Sequence, residues 1–160
     1  MEIRLDSTDI AALTVLQREG RISNAELAER IGLSASACLR RVQRLEADGV
    51  IAGYAALIDP KRVGLGLEAF VRVQLRDHSS GVVDGFVSRV QLWDEVVTCH
   101  ALTGEMDYLL HVMVEDLEHF SRFLLDRLLN DAGVTDVNSS FVLREIKTRR
   151  SLPLDQLRDG

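Results

Sequence analysis

An arginine-rich stretch is the first group of residues whose chemistry suggests a function. Residues 30–45 contain four arginines, Arg30, Arg40, Arg41 and Arg44, and no acidic residue. A planar guanidinium group can bind a phosphate or a guanine edge through two parallel hydrogen bonds. Such a stretch is also typical of an ordinary solvated helix face, so its position in the fold decides between the two interpretations.

A second group is Thr103-Gly-Glu-Met-Asp107, with Ser139 and Ser140 later in the chain. Exposed turn amides form a concavity that binds anions. Asp107 can accept a hydrogen bond from an ammonium group, and the Thr103 hydroxyl offers a further polar contact. The residues therefore suit a small-ligand site. The alternative is a plain hairpin turn in which Gly104 supplies a positive φ.

Other reactive residues do not form a catalytic or metal-binding set. Cys99 and His100 are neighbours in a strand pattern, so their side chains point to opposite faces and cannot pair as nucleophile and base. His100 and His111 can share a face across a hairpin, but no triad of cysteines or histidines completes a metal site. Cys38 is interpreted as a core residue. We therefore expect that the protein is not an enzyme and that it binds no metal and no cofactor.

The composition places the chain among packed proteins of one domain or two small ones. It has 160 residues, of which 46% are hydrophobic. No apolar run approaches the ~18 residues of a membrane span, and the N-terminus has no signal-peptide core. The two cysteines are too few for a disulfide framework. We expect a cytoplasmic protein with no membrane partner.

The charge distribution changes the meaning of the total charge. The formal net charge of −6 by itself argues against a nucleic-acid partner. By position, however, the charge is +4 over residues 30–45 and −10 over the remainder. An acidic body repels DNA everywhere except at one face, which disfavours non-specific coating and favours a docked orientation.

Local signals predict two helices at the start of the chain. Asp6 can cap a helix over about residues 7–19. Ser23-Asn-Ala-Glu26 is a capping box, in which the serine and glutamate satisfy each other's backbone amides. It predicts a short second helix that ends at Gly32.

A third helix is predicted over about residues 35–47, capped by Ser34. Cys38, Val42 and Leu45 form its buried stripe. The short turn before it, with a glycine, predicts a helix-turn-helix, whose second helix enters the major groove of DNA. The residues that project away from the buried stripe are Ser36, Arg40, Gln43 and Arg44, with Arg41 at the border.

The remaining patterns predict a wing, a linker and a second domain. Val50–Ile58 is apolar and β-prone, which predicts a small wing strand, and residues 59–66 resemble a linker because they contain proline and glycines. The pattern that follows is β-α-β-β-α-β, the ferredoxin-like order, with Gly104-Glu105 as a two-residue hairpin turn. The predicted strands cover about residues 67–77, 95–103, 106–115 and 134–146, and the predicted helices cover about 82–93 and a stripe of Leu117, Phe120, Leu124 and Leu128.

Such a sheet has helices on one face only. Candidate residues on its other face are Phe70, Val97 and Val142. Because these apolar residues need cover, a second subunit is the expected partner and the protein is expected to form homo-oligomers.

With these motifs assembled, the chain resembles the Lrp/AsnC (leucine-responsive, feast/famine) family of transcription regulators from Leu5 to about Pro153. Within the second domain the resemblance is through Gly104-Glu-Met-Asp-Tyr-Leu-Leu110, Val137-Asn-Ser-Ser-Phe141 and Ser151-Leu-Pro153. The motifs of the first domain are Leu5-Asp6-x-x-Asp9, Gly20-Arg-Ile-Ser-Asn-x-Glu-Leu27, Ile31-Gly-Leu-Ser34, Cys38-Leu-x-Arg-Val42, Arg44-Leu-Glu46 and Gly49-Val-Ile-x-Gly-Tyr-x-Ala56.

The resemblance implies an α+β protein with a winged helix-turn-helix and a ferredoxin-like domain. It implies dimers assembled into octamers, and a free amino acid as effector, bound between dimers near the Gly104–Asp107 loop. The expected domains are 1–58 for DNA binding, 59–66 as linker, 67–150 for effector binding and oligomerisation, and 151–160 as tail.

The expected function is sequence-specific regulation of amino-acid metabolism on double-stranded DNA. The expected base contacts are Ser36, Arg40 and Gln43, and the expected phosphate contacts are Ser23, Asn24, Ser34, Arg41 and Arg44. The expected effector residues are Thr103, Gly104, Glu105, Met106, Asp107, Ser139 and Ser140. The alternative is an amino-acid-sensing interaction module whose winged helix contacts protein instead of DNA.

Overall fold

The computed structural model describes residues 4–147 and 151–157; parts of the predicted domains at residues 1–3, 148–150 and 158–160 lie outside the described residues. The chain forms two compact units. The first comprises Met1–Leu57 together with Ile146–Gly160, and the second comprises Ile58–Glu145. The predicted tail therefore groups with the first unit. The predicted linker groups with the second and contains a 3-10 turn, Pro60–Val63.

Three helices form the first unit: α1 (Ser7–Leu16), α2 (Asn24–Arg30) and α3 (Ala35–Ala47). The predicted cap of α1 is confirmed, since the Asp6 carboxylate accepts from the Asp9 amide at 2.7 Å. Helix α1 ends earlier than predicted, because the Arg18 amide bonds to the Val15 carbonyl and tightens the last turn.

The core of the first unit lies between α1, α2 and α3. Ile10, Leu27, Ala28, Cys38 and Leu45 are buried. Cys38 is fully buried, which confirms its interpretation as a core residue. The apolar stripes of the helices therefore fix how α3 is presented.

The predicted wing strand over Val50–Ile58 is wrong for the single chain, because these residues form no strand. The Val50 and Ile51 amides both bond to the Leu45 carbonyl at the end of α3. Beyond them, Tyr54 and Leu57 are exposed, and no other strand among the described residues supplies a ladder of hydrogen bonds. A β-prone sequence without a partner strand stays extended and irregular.

The second unit has the predicted ferredoxin-like topology. In chain order its elements are β1 (Leu67–Leu75), α4 (Ser80–Val90), β2 (Val96–Ala101), β3 (Tyr108–Val114), α5 (Leu117–Phe123) and β4 (Val134–Phe141). The strands form one antiparallel sheet in the order β2-β3-β1-β4.

Both helices cover the same face of this sheet. The predicted inward residues of β1 are buried, as are Phe86 and Val90 of α4 and Phe120 and Phe123 of α5. Leu117 was predicted inward but is 57% exposed. Phe120 and Phe123 of α5 face the sheet, and after the wider π turn at Leu124–Leu128 the next buried residue is Leu128.

The other face of the sheet is open in the single chain. Phe70 lies on it and stacks on the His111 ring at a centroid distance of 4.8 Å, while His111 Nε2 lies 2.7 Å from a Glu68 carboxylate oxygen. Phe70 is 38% exposed and Val97 is 53% exposed. The predicted apolar open face is therefore present.

The predicted two-residue hairpin turn at Gly104-Glu105 is wrong. The last paired strand residues are Ala101 and Tyr108, and the Leu102 amide bonds to the Asp107 carbonyl, so the turn between them is formed by residues 103–106. The Asp107 amide bonds to the Val73 carbonyl, and its carboxylate bonds to the Leu75 amide. Asp107 is therefore bonded to Leu102 on one side and to β1 on the other, and the hairpin closes one residue pair before the predicted turn.

Candidate DNA-binding face and effector loop

Helix α3 follows α2 through a tight turn, as the helix-turn-helix pattern predicts. Gly32 has a φ of 69°, a left-handed conformation that favours glycine. Ser34 then caps α3, its hydroxyl accepting from the Ala37 amide at 3.3 Å. The side chain of Asn24 donates to the Ala35 carbonyl at 2.8 Å, which ties the start of α2 to the start of α3.

A buried carboxylate on α1 holds α3 from behind. Asp9 is 1% exposed, and its Oδ1 accepts from Arg41 Nη1 and from Arg44 Nη2, each at 2.6 Å. Arg41 Nη1 also bonds to both Asp6 oxygens. Hydrogen bonding to Arg41 lowers the pKa of Asp6, and the same pairing raises the pKa of Arg41. Since a buried charge is tolerated only when it is paired, these contacts fix α3 on α1.

Ion pairs separate the arginines of residues 30–45 into those that are bound to a carboxylate and those that are not. Arg30 pairs with Glu19 at 2.6 Å, and Arg41 is only 22% exposed at its side chain. Arg44 uses one nitrogen for Asp9 and is 48% exposed, so its other donors face solvent. Arg40 is exposed and forms no ion pair with any residue that the structure describes.

The other residues predicted to contact DNA lie where the helix pattern puts them. Ser36 and Gln43 are exposed on α3 with Arg40, and Ser34 is exposed at its N-terminus. Ser23 is exposed but its hydroxyl is engaged by Glu26 at 2.7 Å in the capping box. The predicted DNA face is thus one continuous solvent-facing side of α3 with the turns before it.

The predicted effector loop is formed by residues 102–107 between β2 and β3. Gly104 has a φ of 117°, which confirms the predicted positive φ, and nothing lies within 4 Å of where a Cβ would be. Thr103, Gly104 and Glu105 are exposed, whereas Met106 is half-buried. The loop therefore presents its backbone to solvent around Gly104.

Asp107 anchors this loop. One carboxylate oxygen accepts from the Leu75 amide at 2.6 Å, and the other lies 2.6 Å from His78 Nε2. The bond to His78 lowers the pKa of Asp107, helped by the Leu75 amide, and the carboxylate raises the pKa of His78. The carboxylate that was predicted to meet an effector amine already has two partners.

The structure does not bring Ser139 and Ser140 to this loop within one chain. They lie on the edge strand β4, paired with Val71 and Phe70 of β1. Asp107 lies on the other side of β1, directly before β3, where its amide bonds to the Val73 carbonyl. Neighbouring strand residues point to opposite faces, so Ser140 shares the open face with Phe70 and Ser139 points to the helices.

Three residues of these sites were missed by sequence reasoning. Leu39 is 46% exposed, and it lies three residues after Ser36 and four before Gln43, so helical spacing could have placed it on the α3 face. Asp9 was quoted only as part of a motif, and its pairing with Arg41, 32 residues away, had no local signal; nor did the pairing of His78 with Asp107, 29 residues away.

Two further classes of site were searched for. Within residues 4–147 and 151–157, no group of three His, Cys, Asp or Glu side chains is placed to hold a metal ion. No helix in the same ranges is long and apolar enough to cross a membrane.

The fold and this face define a helix-turn-helix DNA-binding regulator. The winged helix-turn-helix DNA-binding family model matches residues 5–52, and the Lrp/AsnC ligand binding domain model matches residues 68–152. The chain belongs to the Lrp/AsnC family of transcription regulators, which combine a helix-turn-helix DNA-binding domain with an amino-acid-binding domain.

Similar proteins agree over nearly the full length. The chain is 39% identical over 156 residues to a glutamate uptake regulatory protein of Zymomonas mobilis, covering 98% of this chain and 94% of that protein. It is 40% identical over 148 residues to the leucine-responsive regulatory protein of Escherichia coli, covering 92% and 90%. A transcriptional regulator of Neisseria meningitidis, solved as a complex with L-Met, has a TM-score of 0.93 and 51% identity, covering 96% and 99%.

The Asp9 ion pairs predict a stability cost when the charge is removed. We expect Asp9→Asn to lower the free energy of unfolding by about 1–3 kcal/mol, since it leaves partly buried guanidinium donors without a charged acceptor. Chemical denaturation followed by helical circular dichroism measures this. Glu29→Gln, an exposed change on α2, is the control. If Arg44→Gln costs as much in Asp9→Asn as in the parent, the two residues are not coupled.

The His78–Asp107 pair predicts a pH dependence. The pKa of His78 is raised and that of Asp107 is lowered, so the pair stabilises the fold fully between their ordinary values of 6.5 and 3.8. This contribution is lost as the pH rises through the His78 pKa or falls through the Asp107 pKa. NMR titration should show the His78 pKa above 6.5, returning toward that value in Asp107→Asn. An unchanged His78 titration in that variant would contradict the pairing.

Proposed function

We propose that the exposed face of α3 contacts base edges in the major groove through Ser36, Arg40 and Gln43. The observation that carries this proposal is Arg40, which is exposed and without a carboxylate partner among the described residues, on a helix that Asp9 holds in place. Arginine and glutamine side chains match guanine and adenine edges through paired hydrogen bonds. Leu39, exposed on the same face, supplies an apolar contact for a thymine methyl group.

The proposed phosphate contacts flank this face. Arg44 has free donors directed to solvent, and Ser34, Ser23 and Asn24 lie at the N-termini of α2 and α3, where backbone amides favour an anion. Arg41 is proposed to contribute least to phosphate binding, because its side chain is largely covered and is bound by two carboxylates. These contacts set the orientation of α3 on the duplex, while the base contacts supply the sequence preference.

We propose a free amino acid as the effector, bound at Thr103, Gly104, Glu105, Met106 and Asp107 with Ser139 and Ser140. The exposed backbone around Gly104 offers amides for the carboxylate of the effector. The L-Met complex of the Neisseria meningitidis relative supports this ligand class. Because the loop and the β4 serines are apart in one chain, the complete site is proposed to take residues from more than one subunit.

The proposed assembly is a homodimer that associates further into an octamer. The open sheet face around Phe70 and Val97 is the proposed surface for a second copy, since it leaves apolar side chains exposed. A two-fold dimer would place two α3 helices on half-sites about one helical turn of DNA apart, or a multiple of it. The proposed compartment is the cytoplasm, where chromosomal DNA and free amino acids are accessible.

The DNA contact is tested by Arg40→Ala. We expect a loss of about 1–3 kcal/mol in the free energy of binding to a specific site upstream of the gene that encodes this protein, with little change on random DNA. Fluorescence anisotropy on both duplexes at fixed salt measures the two losses. Arg18→Ala is the matched control, because it removes the same charge from an exposed position outside α3. Equal losses on specific and random DNA would assign Arg40 to phosphate.

The effector site is tested by a thermal-shift screen of the twenty amino acids, followed by titration calorimetry. A ligand that binds only the folded chain raises its melting temperature by mass action. We expect Asp107→Ala to abolish the response and to spare DNA binding, because the loop loses its tie to Leu75 and His78. Glu118→Ala, an exposed change on α5, should keep the response. An unchanged titration of Asp107→Ala would refute the loop as the site.

A further inference from the structure

The C-terminal segment, defined here as Ser151–Leu157, packs on the DNA-binding unit. The chain leaves this unit after Leu57 and returns to it from Ile146 onward. The segment ends in a short 3-10 turn, Leu154–Leu157. The DNA-binding unit is therefore built from two stretches of chain that are separated by the whole effector domain.

A single glutamine binds the backbone of this segment. Gln17 follows the last turn of α1, and its Oε1 accepts from the Leu152 amide at 2.8 Å while its Nε2 donates to the Leu152 carbonyl at 3.2 Å. A primary amide offers a donor and an acceptor side by side, as a strand backbone does. Gln17 thus pairs with both polar backbone groups of Leu152.

Leucine side chains of the segment close an apolar groove. The groove is a cavity of about 250 Å³ between α1 and the chain after α3, and Leu152 and Leu154 form its outer wall. Leu152 remains 50% exposed, so the segment covers the groove without filling it. The residues of the unit that line it are Leu5, Leu13, Leu16, Gln17, Val50, Ile51, Ala52, Gly53 and Tyr54.

These contacts are of the kind that open and close. Two neutral hydrogen bonds at an exposed site, a half-exposed leucine and an unfilled cavity give a small net stabilisation, since each neutral bond contributes little against water. Segments with few buried contacts open locally without unfolding the domain. The contacts that hold Ser151–Leu157 are therefore weak enough for local opening.

The segment is also connected to both proposed sites. It follows β4, which contains Ser140, after a stretch of nine residues, 142–150. It docks at Gln17, on the helix whose Asp9 holds Arg41 and Arg44 of α3. Asp9 and Gln17 are about 12 Å apart along α1 at ~1.5 Å per residue. A change at β4 therefore has a short covalent path to the helix that positions α3.

We propose that Ser151–Leu157 is a reversible strap on the DNA-binding unit, and that effector binding to the second domain shifts its docking. The docking rests on the contacts of Gln17, Leu152 and Leu154, whereas the coupling rests on the proposed function of the effector residues. The strap is a regulatory device because its docked and free states leave α1 differently supported while the effector domain holds the other end of the connection.

Hydrogen exchange of the full chain tests the docking. In Gln17→Ala we expect the Leu152 amide and the end of α1 to exchange about five-fold faster than in the parent, the ratio that follows from losing a weak hydrogen bond. Gln91→Ala is the matched control, because Gln91 follows the last turn of α4 as Gln17 follows that of α1. If residues 151–157 of the parent already exchange like an unstructured peptide, or Gln17→Ala has no effect, the docking is overturned.

The coupling is tested by the same measurement with saturating L-methionine, or with another amino acid that the thermal-shift screen shows to bind. We expect exchange in residues 151–157 to change in the parent, and DNA affinity to respond less to the amino acid in Gln17→Ala. Binding without any change in the segment would make the strap a static brace and overturn the coupling. If none of the twenty amino acids binds, the effector function and the coupling fail together, while the Gln17 comparison still decides the docking.

Discussion

The buried carboxylate of Asp9 is the constraint on which the DNA-binding unit depends. A charge that is 1% exposed is stable only with charged partners, and α3 supplies both of them, Arg41 and Arg44. Pairing on one side of α3 fixes which side faces solvent. Arg40 and Gln43 are consequently exposed, and no ion pair ties either of them to another residue in the described parts of the chain. The ion pairs thus matter more for the orientation of α3 than for its net charge, because they turn the unpaired side chains toward solvent.

This arrangement also refines the meaning of an acidic protein that binds DNA. The stretch over residues 30–45 has a formal charge of +4, but Arg30, Arg41 and Arg44 each contact a carboxylate of the same unit. The local field is therefore weaker than the sequence suggests, and non-specific attraction along the duplex is correspondingly small. The proposed fit of one helix face to base edges would then carry more of the recognition, as expected for a regulator that selects sites.

The sequence predicted what local physics determines. The caps at Asp6, Ser23 and Ser34 and the alternation of β1 depend on residues within a few positions of each other, and all are confirmed. The wing strand was wrong because it depends on a distant partner strand, and the hairpin turn has four residues, 103–106, where two were predicted. The return of the C-terminal segment to Gln17 spans 135 residues, and no local pattern indicates it.

The proposed effector loop shows why a correct family assignment does not by itself give the arrangement of a site. Ser139 and Ser140 face opposite sides of the sheet, so only one of them can line any given cavity. Asp107 is committed to Leu75 and His78, so its first role is to hold the loop in shape around Gly104. An amino acid bound there would meet a preformed backbone, and its amine would need acceptors from elsewhere, which another subunit can supply. Ligand binding and assembly would then be linked by necessity, because the ligand binds best where subunits meet.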